Sequence, residues 1–289
     1  MRAAGDPELR VYGIFGYPLA HTASPAIQNC AFDDCGLKSI YFAFERPPAR
    51  FRFLMRNLRS LLLDGFNVTV PFKEAVIPYL DKLSPEARAV GAVNTVKKEK
   101  GRWVGYNTDI DGFLAGLKAV HFKSKGRQAV ILGAGGSARA VAFALASSGI
   151  RKISVANRTQ SRGRNLIRKF RKMFSRVEWA DINFRGNEFE RALSEASLLV
   201  NATKVGLKKA DRLLVRKKLF PRHKILVYDL IYKPHRTQLL RLADKLGHQI
   251  QNGEMMLLHQ GAKAFEIWTG KRAPISKMKK VLHDTVCSQ

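Results

Sequence analysis

One stretch constrains this chain more than any other, residues 129–159. Ala129 to Leu132 is a short apolar run that reads as a buried strand. Gly133, Ala134, Gly135, Gly136, Ser137 and Ala138 follow at once. From Ser137 to Ser148 the residues are small and Ala-rich, good helix formers, and Gly149 supplies a stop. A second apolar strand, Ile153 to Ala156, ends in Asn157-Arg158-Thr159. Strand, Gly-rich turn, helix and strand form one βαβ unit carrying GxGxxA. Gly133 permits the tight turn and Gly135 lets backbone approach a pyrophosphate. Ala138 lets the helix pack close to the sheet. The helix N-terminus offers N–H groups and a partial positive charge to phosphate.

A Gly-rich turn alone is weak, but here both flanking elements are present, and the expectation is dinucleotide binding. The end of the second strand refines it. An NAD site usually carries Asp or Glu there for the ribose 2′-hydroxyl. This chain has Asn157, Arg158 and Thr159, then Arg162, with no carboxylate among them. Two guanidinium groups suit a 2′-phosphate, so NADP is the expected cofactor.

Two domains fit within 289 residues. Cys30, Cys35 and Cys287 are too scattered for a disulfide framework or a zinc site, which points to a reducing compartment. Met1 to Glu8 lacks a signal peptide's apolar core, and no apolar run approaches membrane-spanning length. The reading is cytoplasmic, with no membrane partner. The formal charge of +28 is uneven. Residues 1–110 hold 15 Lys+Arg against 11 Asp+Glu, whereas residues 151–224 hold 21 against 6. That excess could attract an anionic cofactor or nucleic acid. No zinc-finger spacing, RNP-type motif or basic tail accompanies it, so no specific nucleic-acid partner is expected. Arg168, Lys169, Arg171 and Lys172 read as the solvated face of a helix whose apolar face is Leu166, Ile167, Phe170 and Phe174.

The rest of the chain alternates strand and helix. Val11 to Phe15 reads as a strand, and Ser24 as the cap of a following helix with Pro25 at its first position. Ile40 to Glu45 is a second strand, and Arg50 to Leu63 a helix. Phe66 to Val70 is a third strand, after which Phe72-Lys73-Glu74 opens a short helix. Lys73 thus stands at a strand's carboxyl end, where α/β sheets place ligands. Ala92 to Val96 and Trp103 to Tyr106 read as a hairpin across Lys100-Gly101. Asn107-Thr108-Asp109 starts a helix, with Asp109 as cap or first-turn acid. After the βαβ unit come helices at 162–174 and 189–196 and strands at 198–200 and 225–228. A helix at 237–246 and a strand at 249–251 follow. Two closing helices span 255–268 and 276–285.

The chain resembles the shikimate dehydrogenase family. The resemblance rests on Gly16-Tyr17-Pro18 with His21-Thr22-Ala23-Ser24-Pro25, and on Asn67-Val68-Thr69-Val70-Pro71-Phe72-Lys73. Gly91-Ala92-Val93-Asn94-Thr95, Asn107-Thr108-Asp109, the Gly133 turn and Asn157-Arg158-Thr159 continue it. Asn201-Ala202-Thr203, Tyr232 with Pro234, Met256-Leu257 and Gln260-Gly261 close it. These motifs cover nearly the whole chain in the family's order.

The resemblance implies a two-domain α/β enzyme that reversibly reduces 3-dehydroshikimate to shikimate with NADPH, a step toward chorismate and the aromatic amino acids. A substrate-binding domain would take residues 1–108 and 252–289. A Rossmann-type NADP domain with a parallel sheet would take residues 109–251. Lys73 and Asp109 would be the catalytic pair. Thr22, Ser24, Thr69, Asn94 and Gln260 would hold the substrate, with Tyr232 beside it. The turn from Gly133 to Ala138, Asn157, Arg158, Thr159, Arg162 and Thr203 would hold NADP, with Met256 near the nicotinamide. No metal is implied, and a homodimer is left open.

Two departures stand out. Thr22 replaces the usual first Ser of a Ser-x-Ser pair, keeping the hydroxyl and adding a methyl. Thr203 is followed by Lys204-Val205-Gly206-Leu207, where the family usually has Ser or Pro and then Met after the Gly. Three alternatives stay open at this point: a quinate or dual-specificity dehydrogenase, a non-catalytic nucleotide-binding protein, and a nucleic-acid binder.

Overall fold

The computed structural model describes residues 9–19, 22–184, 186–208 and 210–287. His21 and the segment Met1 to Glu8, both used in the sequence reading, lie outside the described residues. The chain divides into two compact units, Met1–Thr108 with Leu258–Gln289, and Asp109–Leu257.

The first unit is built on a six-stranded sheet. Its strands are β1 (Arg10–Gly16), β2 (Ser39–Glu45), β3 (Gly65–Val68), β4 (Lys82–Leu83), β5 (Thr95–Glu99) and β6 (Arg102–Tyr106). The order is β2-β1-β3-β5-β6-β4. β1 pairs with β2 and β3 in parallel, whereas β5 runs antiparallel to both β3 and β6. The parallel strand β1, flanked on both sides, is buried from Tyr12 onward, as such strands are. Lys100 and Gly101 join β5 to β6, both with positive φ (48° and 78°), the twist a two-residue hairpin turn prefers.

Aromatic rings fill both faces of this sheet. Phe51 stacks on Phe72 at 3.9 Å between centroids, and Phe15 meets Phe66 edge to face. On the other side Tyr12 stacks against Phe32 and Trp268, and the Trp268 indole donates to Val96 O at 2.9 Å. Each fully buried ring contributes roughly 1.5–3 kcal/mol of transfer free energy. α1 (Ser24–Asp34), α2 (Pro48–Arg56) and α3 (Pro85–Val90) come from the first segment of this unit. The helix numbered α10 (Ile275–Cys287) comes from the last segment and packs on α1.

The second unit is a six-stranded parallel sheet. It holds β7 (Gln128–Leu132), β8 (Lys152–Ala156), β9 (Glu178–Ile182), β10 (Leu198–Asn201), β11 (Leu226–Asp229) and β12 (Gln249–Gln251). The order β12-β11-β10-β7-β8-β9 reverses direction between β7 and β10, which makes the carboxyl ends of those two strands a topological switch point. Around the sheet lie α4 (Asp109–Ala119), α5 (Gly136–Ser147), α6 (Gln160–Met173), α7 (Asn187–Glu195) and α8 (Gln238–Lys245). α9 (Glu254–Thr269) begins in this unit and ends in the first. The small residues of α5, among them Ala138, Ala142 and Ala146, are buried, which an Ala-rich face permits. In α6, Leu166, Ile167 and Phe170 are buried while Arg168, Arg171 and Lys172 are exposed, so that charge run is a solvated face. Among the described residues no helix is long and apolar enough to cross a membrane.

Several local expectations need correction. Lys73 opens a turn that leads to a 3-10 segment at Ile77–Tyr79, not an α-helix. The helix expected at 50–63 stops at Arg56, and a 3-10 turn at Leu58–Ser60 follows. β5 starts at Thr95 and not at residue 92: Val93 N–H donates to Lys73 O in the turn after β3, while Asn94 N–H still reaches Tyr106 O at the end of β6. Ser24 is the first residue of α1 and not its cap, since Ala23 holds the cap position. The reading also lacks α3 and β9.

Candidate active site

In the first unit the chemistry-bearing residues cluster where β1 and β3 end. The chain leaves β1 through a cis Tyr17–Pro18 bond, and Leu19 N–H donates to the Glu45 carboxylate at 2.6 Å. Ser24 N–H donates to the Thr22 hydroxyl oxygen at 3.3 Å. Thr22, just before the Ala23 cap, thus takes one free N–H of the first turn, and the buried Ser24 hydroxyl is not used as a cap. β3 leads into Thr69, whose N–H donates to Phe15 O at 2.8 Å, and then into a cis Val70–Pro71 bond. Lys73 follows, only 9% exposed, with its carbonyl held by Val93 N–H at 2.8 Å. Asp109, the first residue of the second unit, is 3% exposed in the first turn of α4.

Asn94 is the hub. Its amide nitrogen donates to the Thr108 hydroxyl (2.9 Å) and to Gln260 Oε1 (3.2 Å). Its Oδ1 accepts Thr108 N–H at 2.7 Å. Asn94 thereby fixes the residue immediately before Asp109 and joins α9 to the chain just before β5. The neighbouring Asn67 donates to Asn94 O (2.9 Å) and to Thr95 Oγ1 (3.0 Å). Its own Oδ1 accepts the Tyr41 hydroxyl proton at 2.6 Å. Burial pushes the Tyr41 phenol well above its ordinary pKa, and hydrogen bonding with Ser24 opposes this. Tyr41 therefore links Ser24 to Asn67. Thr22, Ser24, Thr69, Lys73, Asn94 and Gln260 all belong to this unit. Asn67 and Tyr41 are organising residues that the sequence reading does not single out.

The Tyr41 hydroxyl yields a stability prediction. Tyr41→Phe removes the donor to a buried Asn67 oxygen and leaves it unpaired, which costs about 1–3 kcal/mol. A urea melt of the variant should show a lower midpoint with an unchanged slope. An unchanged midpoint would mean that the oxygen finds another donor.

The second unit carries the Gly-rich turn at its switch point. Gly133 sits at φ 109°, in the region that favours glycine, and its N–H donates to Ala156 O at 2.8 Å. A Cβ there would lie 3.1 Å from Ala202 O and 3.2 Å from Thr203 Cγ2, so the segment after β10 walls the turn. Gly135 is the cap of α5, and a Cβ added there would meet no protein atom within 4 Å. That side chain would project into open space in front of the helix N-terminus, the space a phosphate needs. Ala138 is fully buried against the sheet. The residues present therefore fit a dinucleotide pyrophosphate.

At the end of β8, Asn157 donates to Thr159 O at 2.7 Å, which shapes the turn into α6. Arg158 and Arg162 are exposed there. The structure adds a carboxylate that the sequence reading overlooks. Asp181 on β9 lies against Gly163 and 3.9 Å from Arg164 Nε. Burial raises its pKa above the ordinary carboxylate range, and Arg164 opposes the shift. Tyr232 is half-buried in the segment after β11, and Met256 is buried in the first turn of α9.

Comparison with known proteins agrees over the length of the chain. Residues 14–96 match the shikimate dehydrogenase substrate binding domain, and residues 116–230 match the shikimate / quinate 5-dehydrogenase family. Residues 253–283 match the shikimate 5′-dehydrogenase C-terminal domain. The chain is 42% identical to the shikimate dehydrogenase (NADP(+)) of Methanopyrus kandleri, over 96% of both chains. It is 44% identical to that of Symbiobacterium thermophilum, over 93% of this chain and 92% of the relative. The shikimate 5-dehydrogenase of Thermus thermophilus, solved with NADP(H) and shikimate, superposes with a TM-score of 0.83. The two are 38% identical, over 96% of this chain and 99% of that one. The Gly133 turn at the switch point, the polar cluster around Asn94 and these matches lead to one conclusion: the chain belongs to the shikimate dehydrogenase family.

Proposed function

We propose that the protein is an NADP-dependent shikimate dehydrogenase, interconverting 3-dehydroshikimate and shikimate on the route to chorismate. The observation that carries this reading is the hydrogen-bonded cluster of the buried Asn67 and Asn94 with the half-buried Gln260, together with a buried Lys73 whose carbonyl is held by Val93, the residue before Asn94. A multiply hydroxylated anion needs many directed donors and acceptors, and a proton must be moved at one hydroxyl. In this reading residues 1–108 and 252–289 bind substrate, and residues 109–251 bind NADP. Thr22 and Ser24 hold the carboxylate, while Thr69, Asn94 and Gln260 hold the ring hydroxyls, with Tyr232 at their border. Gly133 to Ala138 and Thr203 hold the pyrophosphate and its surroundings. Asn157, Arg158, Thr159 and Arg162 hold the adenosine 2′-phosphate, and Met256 lies by the nicotinamide.

The bound nicotinamide supplies the hydride chemistry. Lys73 takes the hydroxyl proton when the alcohol is oxidised and returns it when the ketone is reduced. Asp109 orients the Lys73 amine and shares its proton. The rest of the cluster fixes the reacting carbon so that the two partners meet in line. The working compartment is the cytoplasm.

Steady-state assays with shikimate or quinate and NADP or NAD test the reading. Shikimate with NADP should give the highest kcat/KM. The extra methyl of Thr22 bears on the substrate's seat, but one methyl is worth only about 1–3 kcal/mol of discrimination. Some quinate turnover is therefore compatible with the assignment. Quinate ahead of shikimate would move the protein to the quinate dehydrogenases. NADPH binding with no turnover of either acid would make it a non-catalytic nucleotide-binding protein.

A further inference from the structure

The wall of the Gly133 turn is tied to one buried carboxylate that no role above uses. Asp229 ends β11 and is fully buried. Its Oδ1 accepts from Asn201 Nδ2 at 3.0 Å and from Ile231 N–H at 3.1 Å, and its Oδ2 accepts the Thr237 hydroxyl at 2.8 Å. Asn201 in turn holds the segment after β10. Its Oδ1 accepts both the N–H (3.0 Å) and the hydroxyl (2.7 Å) of Thr203, and its amide nitrogen donates to Val205 O (3.1 Å). The Thr203 hydroxyl oxygen then accepts Val205 N–H at 3.1 Å. Ala202 and Thr203, fixed by this network, are the groups that crowd Gly133. Thr237 caps α8 through Leu240 N–H and so closes the segment that carries Tyr232.

We propose that Asp229 is a positioning residue for the cofactor: its ionised carboxylate holds the segment after β10 against the Gly133 turn, and neutralising it weakens NADPH binding. This rests on the reading that the turn takes NADP(H). A carboxylate presents two acceptor oxygens to three donors from three places in the chain. An amide at the same position offers one acceptor oxygen, so a donor must let go. The cost of the arrangement argues that it is kept for function. Burial raises the Asp229 pKa to about 6, although Thr237, Ile231 and Asn201 oppose the shift. The groups that face it are the Asn201 amide, the Ile231 N–H and the Thr237 hydroxyl, all uncharged. Its pKa in the native state thus lies above that of the unfolded chain. Above about pH 6 the carboxyl is ionised in both states and its burial costs stability in full; that cost is relieved progressively as pH falls from about 6 toward the ordinary value of 3.8. Below about pH 6 one carboxyl oxygen also carries a proton, although both oxygens already accept from donors.

The test uses the full-length protein, NADPH titrations at pH 7.5 and 5.5, and thermal melting. Wild type should bind NADPH several-fold more weakly at pH 5.5. Asp229→Asn should bind about tenfold more weakly at pH 7.5, lose that part of the pH dependence, and melt no lower than wild type. Titration of the cofactor's own phosphate is common to both proteins and cancels in the difference. A residue with only a structural role would lower melting and affinity together, which would count against the proposal. Thr237→Val offers a second readout. It removes a bond that favours the ionised form, so the pH midpoint of NADPH binding should rise. An Asp229→Asn protein with wild-type affinity and pH dependence would overturn the proposal, as would an unmoved midpoint in Thr237→Val. Failure of wild type itself to bind NADPH at pH 7.5 would instead overturn the cofactor reading, and this proposal with it.

Discussion

Lys73→Ala should lower turnover on saturating shikimate and NADP by about 10²–10⁴-fold, the usual contribution of a positioned acid/base. The amine is at hand: Lys73 is buried at the carboxyl end of β3, and Val93 N–H pins its carbonyl. In the proposed mechanism, removing the amine removes the group that takes the hydroxyl proton and leaves Asn94 and Gln260 to hold the ring. The loss should therefore fall on kcat, with shikimate binding largely intact. A loss confined to KM would mean that Lys73 only positions substrate. Asp109→Asn keeps the shape but removes the charge and the proton acceptor, and it too should cut kcat. The proposed mechanism makes the two residues share one proton, so the double variant should lose less than the two single losses combined. Asp109 also lies in the first turn of α4, so melting curves must accompany the rates. A folded Lys73→Ala enzyme with near-normal turnover would remove the pair from the catalytic centre.

The second large effect concerns the cofactor. Arg158→Ala together with Arg162→Ala should cut kcat/KM for NADP and leave that for NAD nearly unchanged. A hydrogen bond to a charged group contributes about 1.5–3 kcal/mol, or roughly ten- to a hundredfold per contact. Both guanidinium groups are exposed, which favours the lower end. Asp181 on the next strand lies beside Arg164, so a carboxylate is near but its cationic partner is a third arginine. Parent enzyme that works equally well with both cofactors would defeat this assignment.

What is legible in the sequence follows from how local each signal is. The turn from Gly133 to Ala138, the Ala-rich helix and the apolar strands of the second sheet each announce themselves within a few residues, and the structure has them all. α3 carries good signals as well: Ser84 accepts Ala87 N–H, Pro85 stands in its first turn, and Gly91 ends it at φ 72°. It is only six residues long, too short for a helical period to register. β9 is hidden because Glu178 and Asp181 interrupt its apolar content. As an edge strand it is paired with β8 alone. The turn at Lys73 reads as a helix because its sequence carries no mark of the Val93 bond. The networks are less legible still. Tyr41 meets Asn67 across 26 residues, and Asn201 meets Asp229 across 28. Such pairs are created by strand register, as when Asn201 stands opposite Asp229 in the β10–β11 ladder.

The discontinuous first unit sets an order on synthesis. Its first elements, β1, α1 and β2, with Tyr12, Phe32 and Tyr41, emerge from the ribosome early. Phe265 and Trp268, the rings that cover them, are made more than 200 residues after β2. Asp109–Leu257, by contrast, is one uninterrupted segment whose whole sheet is available before α10 is made. During translation the nucleotide-type unit can close while the aromatic face of the other stays wet. Completion of that unit waits for α9 and α10, so residues made after the nucleotide-type sheet finish a unit begun before it.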